Sequence, residues 1–268
     1  MKVRLCFGKL AGFGLATVLM VGLVASANAQ KILFDLGRDS NPIPGGTDFR
    51  SISVPNPDPN GHYWNSVSSC CYYSNVLDTN GNATSIGFGF VSAAGNDSYN
   101  GPAGPTDPPP LGGTDWRDWV PFTTINAAAL GDLGVKEAAF DFYTNGKLSI
   151  DNLDPSKKYK LTLFGSHQYN GDNDTTNYAS YTDNTFTTAV ASTSLVIGGN
   201  GFWNQDQVAT LSNLTPQTGN SLFIGFKGAA PLSLGYLNAF SIEVVPEPST
   251  MLLFGGAATC LAVLRRRK

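Results

Sequence analysis

The chain has few of the residues on which most catalytic and metal centres depend. Its 268 residues include 2 His and 4 Cys, and its only glutamates are Glu137, Glu243 and Glu247. A Ser-His-Asp triad would have to use His62 or His167, and no His and Cys have the spacing of a zinc site. We therefore predict that the protein is not an enzyme and has no cofactor, calcium being the one ion that its aspartates could hold.

Cysteine is scarcer still in the central part of the chain. Cys6 and Cys260 belong to the terminal segments described below, so the body holds only Cys70 and Cys71. Disulfide geometry seldom suits adjacent residues. We interpret the pair as two buried or reduced thiols, with an intermolecular bridge outside the cytoplasm as the alternative.

The N-terminal segment Met1–Ala29 has the pattern of a secretory signal peptide. An apolar region covers Leu10–Val24, and Ala27-Asn28-Ala29 is a small-residue cleavage site. The charged region in front of them consists of Lys2, Arg4 and Lys9. We expect the mature chain to begin at Gln30.

The C-terminal segment 246–268 has three parts in a fixed order. A stiff Pro-Glu-Pro triplet comes first and cannot continue a strand or a helix. The uncharged run Met251–Leu264 follows, and as a helix it would cover roughly 21 Å of a membrane core about 30 Å thick. Basic residues close the chain and favour retention on the cytoplasmic side. The residues that define the segment are Pro246, Glu247, Pro248, Arg265, Arg266, Arg267 and Lys268.

These three parts resemble a PEP-CTERM sorting signal, the bacterial tail that an exosortase processes. The resemblance implies export, transient anchoring in the inner membrane, and cleavage that releases the protein to the cell surface or the extracellular space. An ordinary C-terminal membrane helix is the alternative. The same tail is also known as an ice-binding protein C-terminal domain, but Thr175-Thr176 and Thr187-Thr188 do not form the flat threonine array that ice binding needs.

The charge balance changes when both targeting segments are set aside. Of the 17 Lys and Arg, three lie in the leader and four in the tail, so ten remain against 20 Asp and Glu if Glu247 of the tail is counted. The mature body therefore carries a net charge of about −10. A body this acidic repels phosphate backbones, which excludes nucleic acid as a partner.

The body, residues 30–245, has a β composition rich in Thr, Ser, Asn, Gly, Tyr and Phe. We predict an all-β domain, a two-sheet β-sandwich of jelly-roll type with long Gly- and Pro-rich loops. A hairpin is expected where Thr144-Asn145-Gly146 joins Val135–Tyr143 to Lys147–Ile150, and Thr124–Leu130 is the one helical stretch. The other predicted strands are Ile32–Leu36, His62–Val67, Thr84–Val91, Lys158–Phe164, Tyr178–Tyr181, Thr185–Val190, Ser194–Ile197, Gln207–Leu211, Ser221–Phe226 and Tyr236–Val245.

Three stretches of the body resemble landmarks of secreted bacterial β-sandwich domains. They are Asn60–Val67, Leu153–Ser166 and Gly235–Ile242. Such domains are similar to the galactose-binding-like, carbohydrate-module type of jelly roll. The resemblance implies that fold, but no binding residue is carried over because binding loops in these folds vary freely.

Aromatic residues beside polar, Gly- and Asn-rich segments are candidates for sugar binding, because flat rings stack on the apolar faces of sugars. Trp116 and Trp119 follow the long loop Ala93–Asp115. Trp64 lies within a predicted strand and is better interpreted as a core residue. The candidate carbohydrate ligands are Trp116, Trp119, Trp203 and Tyr63.

An acidic loop is the candidate calcium site. Asp172 and Asp174 could supply oxygen ligands with Asp183 within reach, although the run does not match the EF-hand loop. A solvated acidic loop is the alternative.

Three functional hypotheses follow. The first is an exported, non-catalytic β-sandwich that binds or helps to build extracellular polysaccharide. The second is a purely structural matrix or surface protein without a small ligand. The third is a secreted polysaccharide hydrolase or lyase, since the many aspartates leave a glycosidase pair open.

Overall fold

Strands with alternating apolar residues form two sheets. The computed structural model describes residues 30–36, 54–92, 125–135, 137–139, 142–166, 175–199, 202–231 and 233–246. The five-stranded sheet has the spatial order β12 (Ala209–Leu214), β7 (Tyr159–Phe164), β15 (Ala239–Val244), β1 (Lys31–Leu36) and β2 (Asn65–Val67). The six-stranded sheet has the order β3 (Tyr72–Tyr73), β4 (Gly87–Ser92), β6 (Lys147–Asp151), β13 (Leu222–Gly228), β8 (Thr175–Tyr181) and β9 (Ala189–Val196).

Two short ribbons accompany the sheets. The first pairs β10 (Gly198–Gly199) with β11 (Phe202–Trp203), and the second pairs β5 (Tyr143–Thr144) with β14 (Tyr236–Leu237). Pairing is antiparallel throughout the described strands except between β1 and β2, which run parallel.

The strand order confirms the predicted jelly-roll sandwich. The chain changes sheet between β6 and β7, between β7 and β8, and again on each step from β9 through β12 and β13 to β15. The resulting orders β12-β7-β15-β1 and β6-β13-β8-β9 are those of two nested Greek keys. Strands β2, β3 and β4 extend the two sheets at their edges.

The main core lies between the sheets and is built largely from aliphatic and aromatic side chains. Phe34 stacks on Phe240 at 4.5 Å between ring centroids and meets Phe88 of the opposite sheet at 4.9 Å. Each fully buried side chain of this size contributes about 1.5–3 kcal/mol relative to an exposed one.

A second core covers the outer face of the five-stranded sheet. Leu33, Phe164 and Ala239 point to this face and are buried beneath residues 125–139. The covering segment contains helix α1 (Ala127–Leu130), which Asn126 caps through a bond from the Ala129 amide, and two 3₁₀ turns, Gly131–Leu133 and Glu137–Ala139. Its buried residues are Leu130, Leu133, Val135, Ala138 and Ala139.

Three local predictions are wrong. The predicted strand Thr185–Val190 is mostly loop, since β9 (Ala189–Val196) begins only at Ala189. The predicted strand Val135–Tyr143 contains the 3₁₀ turn Glu137–Ala139, because its two buried alanines pack on the sheet from outside. The predicted hairpin around Asn145 does not form, since β5 pairs with β14 while β6 pairs with β4 and β13. The Asn145 side-chain oxygen instead accepts hydrogen bonds from the amides of Gly228 and Gly235, 3.2 and 2.8 Å away, and so ties the turn to another part of the chain.

The cysteines also differ from both expectations. Cys70 and Cys71 are exposed and form a disulfide with each other. The Cys70 sulfur is also 3.1 Å from the Ser68 hydroxyl oxygen. The pair is therefore neither two buried thiols nor the source of a bridge to a second chain.

Residues 30–245 make up one compact unit. In the described part of the chain, no helix has both the length and the apolar character to cross a membrane. Pro246 is exposed at the end of the described residues. The other residues of the predicted sorting segment, among them Glu247, Pro248 and Arg265–Arg267, lie outside the described residues, as does the predicted signal peptide.

Candidate functional site

The outer face of the six-stranded sheet is polar and open. Residues paired across an antiparallel sheet point to the same face, so the strand register places small and polar side chains in rows. One row joins five strands and consists of Ser92, Lys147, Gly225, Ala179 and Ser192. The next row along the strands consists of Lys227, Asn177 and Ser194.

The same strands fill the main core with their alternate residues. Tyr178, Ile224 and Leu148 point inward and are almost completely buried. The outward positions are therefore held in place by a rigid apolar layer directly beneath them, which is a good foundation for a binding surface.

Small residues in the middle of the face create a hollow of about 580 Å³. Gly225 and Ala179 lie side by side at its floor. A Cβ atom on Gly225 would stand 3.0 Å from the Tyr181 ring, so the absence of a side chain lets that ring lie close to the sheet. Longer side chains around this floor form the walls.

An aromatic cluster forms one wall of the hollow. Phe186, in the loop between β8 and β9, is buried and contacts the Tyr181 ring at 5.3 Å and the Phe223 ring at 6.1 Å between centroids. The Lys147 ammonium lies 5.0 Å from the centre of the Phe186 ring, within the range of a cation–π interaction. This packing holds Tyr181 and Lys147 at the rim.

A second hollow of about 610 Å³ adjoins the first. Asn145, Asn177 and Lys227 line both of them, and the second continues over residues 228–231 and Ser233. We call the two hollows together the groove. Its length suits an extended ligand better than a compact one.

The charges in the groove are of one sign. Lys147 and Lys227 line it, and none of the described lining residues is Asp or Glu. By contrast, Lys31 and Lys160 on the other sheet both pair with Glu243, at 3.6 and 2.7 Å. Within the described part of the chain, neither groove lysine has a carboxylate partner at ion-pair distance.

Tyr72 supplies a second exposed aromatic ring at the far edge of the same face. Its side chain is 56% exposed, and its ring lies over Gly87 and Gly89, where a Cβ would collide with it. Partial burial raises the pKa of its hydroxyl, and the neighbouring Asp151 carboxylate raises it further. Four strand spacings, roughly 19 Å, separate β3 at this edge from β8.

Of the sugar and calcium ligands predicted from the sequence, only Tyr63 and Asp183 have side chains in the described part of the chain. Tyr63 is half-buried with its ring against Gly81. Trp203 lies in β11 opposite Gly198, and its side chain is outside the described part. Four further predicted residues lie outside the described residues altogether, namely Trp116, Trp119, Asp172 and Asp174.

Asp183, the third predicted calcium ligand, is occupied within its own loop. Its carboxylate accepts hydrogen bonds from the Thr185 amide at 2.9 Å and from the hydroxyls of Thr185 and Thr182. The Thr185 hydroxyl and amide lower the pKa of this carboxyl. Among the described residues, no three His, Cys, Asp or Glu side chains are grouped as a metal site would require.

Trp64 is a core residue, as predicted. It is buried in the second core, and its indole nitrogen donates to Asp58 Oδ2 at 2.9 Å. Asp58 also accepts from the amides of Asn60 and His62, so one carboxylate organises the Pro-rich loop and anchors the tryptophan.

A buried carboxyl group lies beside this second core. Asp35 accepts hydrogen bonds from the Val54 amide at 3.1 Å and the Ser66 hydroxyl at 3.0 Å, while its other oxygen has no partner among the described residues. Burial raises its pKa from 3.8 to about 7, and Glu137 adds repulsion. The group is far from the groove in the fold, since it points to the outer face of the opposite sheet.

Sequence reasoning missed the groove because its residues come from strands distant in the chain. The alternation of Thr175–Tyr181, with polar residues at every second place, was the one pattern that could have pointed to it.

Comparison with known proteins identifies the tail. Residues 244–268 match the family model of the PEP-CTERM protein-sorting motif, which confirms the resemblance inferred from the sequence. No curated protein and no solved structure matches the chain. The motif covers about a tenth of the chain, and it marks the protein as one exported through the membrane and sorted by an exosortase system.

Proposed function

Since the chain is exported and carries an exosortase-directed tail, we propose that it is a non-catalytic surface or extracellular-matrix protein that binds polysaccharide. The groove on the six-stranded sheet is the observation that carries this proposal. Its length and its lining, which combines apolar surface with serine, asparagine and lysine side chains, fit a polymer that lies along the sheet.

The chemistry of the groove matches that of a glycan chain. Sugar hydroxyls need many donors and acceptors at modest spacing, and the outward Ser192, Ser194 and Asn177 provide them. Tyr181 offers a ring on which the apolar face of a sugar can stack. The first hollow is formed mainly by strand residues, so binding there requires little ordering of the protein.

The described glutamates favour binding over catalysis. Glu243 is held between Lys31 and Lys160 on the other sheet, and Glu137 belongs to a 3₁₀ turn over the second core. Neither lines the groove. The structural-matrix hypothesis differs from the proposal only in predicting no glycan affinity.

A glycan-binding screen separates these hypotheses. Protein purified from the culture medium of export-competent cells is applied to an array of neutral and acidic polysaccharides. We expect retention on at least one of them without cleavage of the polymer. No binding to any polysaccharide of the array would support the purely structural role, and release of shortened oligosaccharides would support the hydrolase or lyase.

The loop tryptophans remain a second proposed contact, drawn from the sequence. If Trp116 or Trp119 stacks on the bound sugar, its replacement by Ala costs about 1–3 kcal/mol, a loss of several-fold to over a hundredfold in affinity. The melting temperature should stay unchanged. A lower melting temperature with unaltered binding would show that the pair is core packing instead.

The proposed route ends with loss of the tail. The protein is held briefly in the inner membrane, the exosortase cleaves near Pro246-Glu247-Pro248, and the body reaches the surface or the medium. Mass spectrometry of the mature protein should therefore show no peptide from Met251–Lys268. A mature pool that keeps Arg265–Lys268 would instead identify a permanent membrane anchor.

A further inference from the structure

We infer that the groove selects acidic polysaccharides and that Lys147 and Lys227 together receive the carboxylates of their uronic acid units. This inference rests on the proposed polysaccharide binding and deepens it by assigning the class of glycan. The two lysines come from different strands, and the sheet register brings them to the same face.

The register sets the distance between the two lysines. Lys147 on β6 is directly opposite Gly225 on β13, and Lys227 lies two residues further along β13. Residues in this diagonal relation are about 7–8 Å apart, and their Cβ atoms are somewhat closer. The Lys147 ammonium lies beside the Phe186 ring, on the other side of Gly225 from Lys227. The two ammonium groups are therefore placed for two successive carboxylates of one chain.

The groove is basic although the rest of the body is acidic. The body carries about ten more acidic than basic residues, yet the groove shows two lysines and, among its described lining residues, no carboxylate. Among the described residues, two acids of the same sheet edge region, Asp151 and Asp183, are already engaged. Asp151 accepts from the Ser149 hydroxyl at 3.1 Å and lies beside the Tyr72 hydroxyl, and Asp183 is bonded within its loop.

The remaining lining residues are neutral, which argues for a glycan over other polyanions. Asn177 and Ser194 stand in the same row as Lys227, and Ser192 stands in the row of Lys147. A sugar unit presents hydroxyls next to each carboxylate, so it can use both kinds of partner at once. A phosphate polymer offers acceptor oxygens alone, whereas sugar hydroxyls both donate and accept, as the Ser and Asn side chains do.

Affinity electrophoresis tests the inference with the exported protein. Native gels are cast with polygalacturonate, with its methyl-esterified form, or with poly-glutamate, at two salt concentrations. The variants are the double change Lys147→Gln with Lys227→Gln, and Lys158→Gln as a control that removes the charge of an exposed lysine in another part of the fold. Circular dichroism shows that each variant is folded.

We expect retardation by polygalacturonate that falls about tenfold in the double variant, because two exposed charge-assisted contacts are lost. The control should keep it, the esterified polymer should bind weakly, and added salt should weaken the acidic interaction. Equal binding of the esterified polymer with no effect of the double change would overturn the acidic assignment and leave the proposed function standing. Equal lysine-dependent binding of poly-glutamate would overturn the assignment to a glycan, and no binding to any glycan of a broad array would defeat the proposed function itself.

Discussion

The two outer faces of this sandwich differ in that one is covered by the chain and the other is open to solvent. The outer face of the five-stranded sheet carries Leu33, Phe164 and Ala239 and is sealed by residues 125–139 and by Trp64. The outer face of the six-stranded sheet carries glycine, serine, asparagine and lysine and stays open along the groove. Both faces arise from the same two-residue alternation of strands.

The difference lies in what the chain places at the outward positions. Apolar outward residues require a cover, and the chain supplies one that forms a second core. Small and polar outward residues need none, because water solvates them. A strand face that stays open over a rigid core is thus available for a ligand, while the sealed face serves stability.

The largest loss of stability should come from removing a buried side chain on the sealed face. Trp64→Ala removes a buried indole and its bond to Asp58, so we expect a loss of about 3–5 kcal/mol in the free energy of unfolding. Urea denaturation measures it, and Tyr72→Ala, which removes an exposed ring, is the matched control with a change below about 1 kcal/mol. Similar losses for both variants would contradict the contrast between the faces.

A pH-dependent effect should follow from Asp35 on the sealed side. Its folded pKa of about 7 lies above the unfolded value of 3.8, so the native state holds this proton more strongly. The contribution to stability is complete below pH 3.8 and is lost as the pH rises through 7, by about 4 kcal/mol at most. Three other carboxyl groups have pKa values below 3.8, so they change the stability only at pH values below this window. They are Asp78, Asp154 and Asp183.

Asp35→Asn should remove this dependence. We expect the variant to be more stable than the wild type at pH 8 and no more stable at pH 4, as measured by urea denaturation across the range. The Asn oxygen can still accept from Val54 and Ser66. A wild-type stability that rises from pH 5 to pH 8 in parallel with the variant would show that Asp35 is ionised without penalty.

A smaller effect on stability is expected at the open face. Tyr181→Ala loses the contact with Phe186 and should lower stability by about 1 kcal/mol. The same change should weaken glycan binding about tenfold, because the stacking ring is gone. Isothermal titration with the polysaccharide selected on the array gives the affinity, and unchanged affinity would remove Tyr181 from the site.

Much of the fold follows from local pattern. The alternation of Tyr159–Phe164 and the apolar runs of β13 and β15 predict those strands, and turn residues separate them. The strand predicted at Val135–Tyr143 was wrong because its buried alanines do not belong to a sheet. They lie in a 3₁₀ turn that covers the second core. The hairpin predicted around Asn145 was wrong because the Asn145 side chain is bound by two amides distant in sequence, those of Gly228 and Gly235.

The groove could not be predicted in the same way. Lys147, Asn177 and Lys227 lie up to eighty residues apart, and only the strand register makes them neighbours. Each of them alone is an ordinary polar residue at an outward position. Aromatic residues near glycine and asparagine were the visible features instead, and among these Trp64 proved to be core.

The most direct test of the open face is to fill it. Ala179→Gln places a larger side chain at the groove floor, and Thr210→Gln makes a similar outward change on the exposed edge strand β12 of the other sheet. With exported protein titrated against polygalacturonate, we expect Ala179→Gln to lose at least about tenfold in affinity and Thr210→Gln to bind as the wild type does. Full binding by Ala179→Gln, with its fold intact by circular dichroism, would contradict the claim that the open face holds the glycan.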